Sequence, residues 1–195
     1  MKLLSFLTLT LISATSLGAT TYKVDPSASV ITWKGEKKLG SYHTGTVKIK
    51  EGSLETDKKN TVTGLQTTVD MSTISNADLA KDPDSQKKLV RHLSSDDFFK
   101  IDQFPVSTFK LTKISIVNGK TIAIGDLTML GKTNSVEFPV ITKVEGATAT
   151  FEGKVKVDRT KWGLRYGSGN FFKELTADKI IKDEFELDVK IIANK

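Results

Sequence analysis

Apolar and polar residues alternate with a period of two along most of the chain. Ile31 and Trp33 fall on one face, Thr32 and Lys34 on the other. Val47 and Ile49 oppose Lys48 and Lys50. Leu65, Thr67, Val69 and Met71 alternate with Gln66, Thr68 and Asp70, and Phe109 and Leu111 with Lys110 and Thr112. Val136, Phe138 and Val140 alternate with Glu137 and Pro139. Phe151, Gly153, Val155 and Val157 alternate with Glu152, Lys154 and Lys156. Phe185, Leu187, Val189 and Ile191 alternate with Glu186, Asp188 and Lys190. Such alternation marks a half-buried antiparallel strand with one dry and one wet face. Residues 121–130 are apolar on both parities and read as a more deeply buried strand. Asn118-Gly119 predicts a tight hairpin turn. Glu51-Gly52-Ser53, residues 57–60 and Glu145-Gly146 read as polar breaks between strands. About eight closely spaced strands predict an all-β fold, an antiparallel barrel or sandwich.

Two stretches break the rhythm. Within residues 72–104, Pro83 precedes Asp84 and Ser85, either of which can cap a helix. Gln86, Leu89, Val90 and Leu93 then follow at helical spacing. Ser94, with Asp97 three residues later, is a weaker cap signal, opening a turn that carries Phe98 and Phe99. The second stretch, residues 160–182, holds Gly163, Gly167, Gly169, Phe171 and Phe172. No linker, internal repeat or low-complexity tract divides the chain, so one domain is expected.

The first 19 residues read as a secretory signal. Lys2 is the positive start, Leu3 to Ile12 the apolar core, and Leu17-Gly18-Ala19 the small-residue exit. The apolar core is shorter than the roughly 20 residues of a membrane span. Cleavage after Ala19 leaves a barrel domain over residues 20–195 and removes one charge, Lys2, from the net +6. The expected product is periplasmic or secreted and not an integral membrane protein.

Composition then narrows the chemistry. Apolar residues make up 38% and charged residues 27%, a globular balance. The absence of cysteine excludes disulfides, thiolate metal sites, a cysteine nucleophile and a lipid anchored on cysteine. Two histidines leave little for a metal centre, and no metal is expected. The basic excess is diffuse, and Lys48, Lys50, Lys154 and Lys156 sit on the wet sides of strands, so no nucleic-acid partner is expected. Gly125 to Thr133 imitates a phosphate loop, but five residues separate its glycines instead of four and an alternating strand follows. No nucleophile elbow is present, and Asp96-Asp97 fit helix-start electrostatics better than paired catalysis. What remains is an apolar interior that mixes aromatic with small positions such as Gly45, Thr67, Ser107 and Gly153. An eight-stranded barrel lined this way either holds one small ligand or is filled by its own side chains.

At His92-Leu93-Ser94-Ser95-Asp96-Asp97-Phe98-Phe99, followed by Gln103-Phe104-Pro105 and Thr108-Phe109, the chain resembles the YceI-like family. Val24-Asp25-Pro26-Ser27 with Val30 and Trp33 resembles that family's opening strand. Val69-Asp70-Met71-Ser72-Thr73-Ile74, Gly125-Asp126-Leu127-Thr128 with Gly131-Lys132-Thr133, and Val157-Asp158-Arg159 with Trp162-Gly163 agree in the family's order. Each motif alone is loose; in order over nearly all of the exported part they are specific.

The resemblance implies a lipocalin-like, eight-stranded antiparallel barrel with a helical excursion between central strands. It implies non-enzymatic binding of an isoprenoid or similar long-chain amphiphile, a quinone or isoprenyl phosphate for example, as a periplasmic carrier or store, with no cofactor. The expected lining is Ile31, Trp33, Val47, Ile49 and Val69 on the early strands. Phe109, Leu111, Phe138, Phe151 and Val155 supply the middle, Phe185, Leu187 and Val189 the last strand, and Phe98 and Phe99 the excursion. His43, Arg91 and His92 are the candidate polar groups at the mouth, where this chain departs from the commoner family pattern. Alternatives stay open: a structural or stress-response barrel without lipid, or an enzyme using the same cavity. The oligomeric state is also open, a homodimer included.

Overall fold

A computed structural model describes residues 18–195. The expected leader, apart from Gly18 and Ala19, lies outside the described residues. Nine strands follow in order: β1 (Thr20–Val24), β2 (Val30–Glu36), β3 (Tyr42–Thr56), β4 (Val62–Asp70), β5 (Val106–Val117), β6 (Lys120–Met129), β7 (Lys132–Glu145), β8 (Thr148–Asp158) and β9 (Glu184–Asn194). One α-helix, α1 (Pro83–Ser94), stands between β4 and β5.

Neighbouring strands are antiparallel throughout, and the sheet closes on itself. β1 and β2 both lie between β3 and β9. β1 pairs near Ser53–Thr56 and Ala193, whereas β2 pairs near Tyr42–Val47 and Glu186–Lys190. They form one interrupted stave, so the barrel has eight. The interruption is chemical. Pro26 has no N–H to give the ladder, and the Asp25 carboxylate accepts hydrogen bonds from the Ser27 and Ala28 N–H groups. The Ser29 hydroxyl replaces a backbone partner, accepting from the Ile192 N–H at 2.9 Å and donating to its carbonyl at 3.2 Å. Closure leaves no exposed strand edge among the described residues.

The two ends of the barrel differ. At one end the connections are short, among them the Asn118-Gly119 turn, whose two residues have the positive φ of 51° and 74° that a two-residue hairpin needs. Tyr22, Leu54, Val24 and Val62 are fully buried and close that end. At the other end, the mouth, lie both long connections: residues 71–105 with α1, and residues 159–183. The lookalike of a phosphate loop is also there, as a hairpin turn at Leu130-Gly131 between β6 and β7.

Several local expectations are corrected. Glu51-Gly52-Ser53 is no break: β3 runs through it, with a bulge between Ile49 and Glu51 that lets one long strand serve both β2 and β1. Residues 121–130 are not buried on both faces: Ala123, Leu127 and Met129 point in, while Ile122 and Ile124 are only half-covered. The α1 cap is Asp82, whose side chain accepts from the Ser85 N–H, with Pro83 in the first turn.

Candidate functional site

The inward faces of the staves enclose a cavity of about 160 Å³ whose wall is almost entirely carbon. Ile31 and Trp33 of β2, Val47 of β3, Val69 of β4, Val155 of β8 and the trio Phe185, Leu187 and Val189 of β9 stand on that wall. Its deep part is a row of three rings. Phe109 and Phe138 have centroids 5.9 Å apart, and Phe138 meets Phe151 edge-on at 6.3 Å. Each of the first two rings lies over a glycine on the neighbouring strand, Phe109 over Gly125 and Phe138 over Gly153. A Cβ at either glycine would collide with the ring, so these residues set the ring positions.

Ile49 and Leu111, expected on the wall, are buried in the core without reaching the cavity. The Phe109 ring leans over Gly125, the cross-strand partner of Leu111, and screens Leu111 from the open space. Ile49 sits at the bulge that turns β3 toward β1.

The mouth is covered from two sides. Residues 71–78 form a strap across the β2–β3 end. The Ser75 carbonyl accepts from the Trp33 indole N–H at 3.1 Å, and the Ser75 N–H donates to the Thr46 carbonyl at 2.9 Å. Gly45 allows the close approach, because a Cβ there would overlap the Ser75 carbonyl. Beyond α1, Leu93, Phe98 and Phe99 reach the cavity. The opposite cover is residues 159–183, which contribute Arg159, Leu164 and Ile181 to the wall. The covers touch where Tyr166 packs against His92 at 4.8 Å and Phe98 at 5.2 Å.

The candidate polar mouth groups do not line the cavity. His43 pairs through Nδ1 with Asp78 at 2.8 Å on the strap. His92 pairs through Nε2 with Asp97 at 3.0 Å, beside the contact between the two covers. Arg91 is exposed. Helical geometry decides this: Leu93 faces the barrel, which turns Arg91 to the far side of the helix and sets His92 sideways, against Phe98 and Tyr166. Asp78 is held as a carboxylate. Burial works against ionisation, but hydrogen bonds from the Thr44 N–H, His43 and Asn76 outweigh it and lower its pKa.

Among the polar residues that do reach the wall, Thr67, Ser107, Thr108 and Lys182 included, the buried charge is Arg159. Its parity was legible, since Val155, Val157 and Arg159 continue one face of β8. The guanidinium is 4% exposed and spans the cover. It donates to the carbonyls of Lys182, Leu164, Tyr166 and Ile181 at 2.8–3.0 Å, with Asp183 at 3.5 Å. Burial lowers its pKa, and Asp183 and Asp158 oppose that. Asp158 caps the following turn, Trp162 donates to the Leu127 carbonyl, and Gly163 ends the turn at φ +87°. The Lys182 stem touches the cavity while its ammonium binds Glu36. That bond, with one from Lys34, lowers the Glu36 pKa to about 2.

A YceI-like domain matches residues 22–193. The chain belongs to the YceI-like family. A UPF0312 protein of Photorhabdus laumondii is 28% identical over 187 residues, covering 89% of this chain and 90% of that protein. Among crystal structures, BcnA of Burkholderia cenocepacia superposes with a TM-score of 0.68 at 24% identity, covering 88% of this chain and 99% of that one. A polyisoprenoid binding domain from Saccharophagus degradans gives 0.58 at 12% identity, over 89% and 97%. A YceI protein of Campylobacter jejuni gives 0.57 at 18% identity, over 75% and 82%. These structures share the fold: a lipocalin-like, eight-stranded antiparallel barrel with one helix between strands. Within this YceI-like chain, the late motif Val157-Asp158-Arg159 with Trp162-Gly163 is the anchor of the second cover.

Proposed function

We propose that this chain binds a long-chain apolar ligand, an isoprenoid or similar amphiphilic lipid, in the barrel cavity without chemical conversion. One observation carries the reading: a covered space whose wall is almost wholly carbon. Burial of each ligand CH₂ is worth roughly 0.8 kcal/mol, so a chain is held without polar contacts. By the same measure one water takes about 10–15 Å³, so the space suits a slender hydrocarbon segment. The rest of a longer ligand, with any quinone or phosphate head, leaves between the two covers near Phe98 and Tyr166. Backbone carbonyls take four of the five N–H donors of Arg159, which supports a structural role for it and not that of a head-group receptor.

The physiological reading is a periplasmic carrier or store, exported by the leader. It uses no cofactor and no nucleic-acid partner. Outer-face lysines of β8 and β9 support the latter, since Lys154, Lys156 and Lys190 are paired with Asp188, Glu186 and Glu152. Among the described residues no helix is long and apolar enough to cross a membrane.

Native mass spectrometry of the protein recovered from its own cell envelope tests the reading. A mass increment that fragments to a long-chain lipid is expected. A clean apo mass, together with no uptake of added isoprenoids, overturns it and favours a barrel without ligand.

A further inference from the structure

The second cover carries a surface that the cavity does not require. Five of the ten exposed large apolar side chains among the described residues sit on two neighbouring segments at the mouth: Leu39, Tyr42, Tyr166, Phe171 and Phe172. They belong to two segments, the β2–β3 hairpin and residues 159–183. The two segments are one surface. The Lys38 N–H donates to the Ile180 carbonyl and the Lys182 N–H to the Glu36 carbonyl, while Lys37 bridges Ile181. Gly169, two residues before Phe171, lies close against the side chain of Ile180, the residue whose carbonyl holds Lys38 of the hairpin. The Arg165 guanidinium lies over the Phe171 ring at 4.4 Å.

The same segments concentrate charge. Residues 34–42 and 159–183 hold nine basic and four acidic residues, five of the chain's net +6. Lys34 and Lys182 share the Glu36 carboxylate, and Arg159 is buried beside Asp183. Lys37, Lys38, Lys161, Arg165, Lys173 and Lys179 remain exposed on these segments, against the exposed acids Glu174 and Asp178. The first cover is different: residues 78–102 carry five basic and six acidic residues. Basic character and exposed rings therefore coincide on one side of the mouth alone.

We propose that this surface docks on an anionic phospholipid bilayer. Aromatic rings ringed by lysine and arginine suit the head-group layer, where rings bury at acyl-chain depth and cations meet lipid phosphates. Docking there sets the seam between Tyr166 and Phe98 against the membrane. The inference goes beyond the cavity reading and is measured without ligand exchange, so either can fail alone.

Vesicle sedimentation tests it. The protein is taken as recovered from the cell, with its N-terminus sequenced, and mixed with vesicles of phosphatidylcholine alone or with equal parts phosphatidylglycerol. Binding to the anionic vesicles alone, weakened by salt, is expected. Phe171→Ser with Phe172→Ser lowers the partition coefficient about tenfold, and so does Lys37→Glu with Lys38→Glu. Ile116→Ser with Ile141→Ser, exposed elsewhere on the barrel, leaves it unchanged. The lysine pair lies in an exposed loop and decides the matter if the phenylalanine pair fails to fold. Equal binding to neutral vesicles, no binding to either, or wild-type binding by the lysine variant overturns the proposal.

Discussion

The ring of Tyr166 lies 5.2 Å from that of Phe98, and His92 is wedged against both. Two segments 68 positions apart in sequence thus meet over the cavity through side chains alone. Neither ring is fully buried, as Tyr166 is 42% exposed and Phe98 half-buried. A seam of this kind opens more readily than the barrel itself.

Phe98→Ala and Tyr166→Ala are therefore expected to speed release of a fluorescent isoprenoid more than they lower stability. Stability should fall by less than the roughly 3–5 kcal/mol of a fully buried Phe. Stopped-flow release, set beside urea unfolding of the same variants, checks this. A full-sized stability loss with unchanged release rates would make the seam a fixed plug.

Phe151→Asp is expected to cost several kcal/mol, on the order of the penalty for an unpaired buried charge. Phe151 is 1% exposed at the deep end of the ring row. Lys154→Asp stands on the outer face, where it replaces an ion pair with Asp188 by a like-charge pair. It should lower the thermal midpoint only slightly. Comparable losses in the two variants would contradict the assignment of faces.

Gly45→Ala should destabilise by about 1–3 kcal/mol, because a methyl there overlaps the Ser75 carbonyl backbone. The strap can relieve the clash only by lifting, which breaks the bond from the Trp33 indole to Ser75. A change in Trp33 fluorescence alongside the stability loss is the signature, with Trp162 replaced by Phe in a matched background. Unchanged emission would mean that the strap absorbs the methyl elsewhere.

Asp78 gives the strap an acid limit. Its folded pKa lies below the ordinary 3.8, so its contribution is fully present above that value. It is lost as pH falls below 3.8 through the lower folded value. Asp78→Asn should flatten this part of the acid limb of urea midpoints while lowering the neutral midpoint. An acid limb identical to wild type would remove Asp78 from the account.

Arg159→Lys is expected to cost about 3 kcal/mol or more, since one ammonium cannot reach the four carbonyls held by the guanidinium fork. Hydrogen exchange should rise across residues 164–182 and stay low in β8. Uniform exchange over the whole barrel would indicate a global effect.

The barrel wall was written in the chain because strand parity is local: each residue is placed inside or outside by its immediate neighbours. Eleven of the thirteen strand residues expected on the lining stand on the cavity wall, and Ile49 and Leu111 do not. The signal for Arg159 was equally local, a cation continuing the inward face of Val155 and Val157. The covers were not local. Whether Arg91 and His92 face the cavity depends on how α1 rolls against the barrel, and Leu93 took the inward position. That Tyr166 meets Phe98 depends on the barrel topology, which brings both long connections to the same end. The volume left inside was decided there too. It depends on where the Phe109 and Phe138 rings settle over glycines of adjacent strands, a packing relation across the ladder that no single strand's pattern contains.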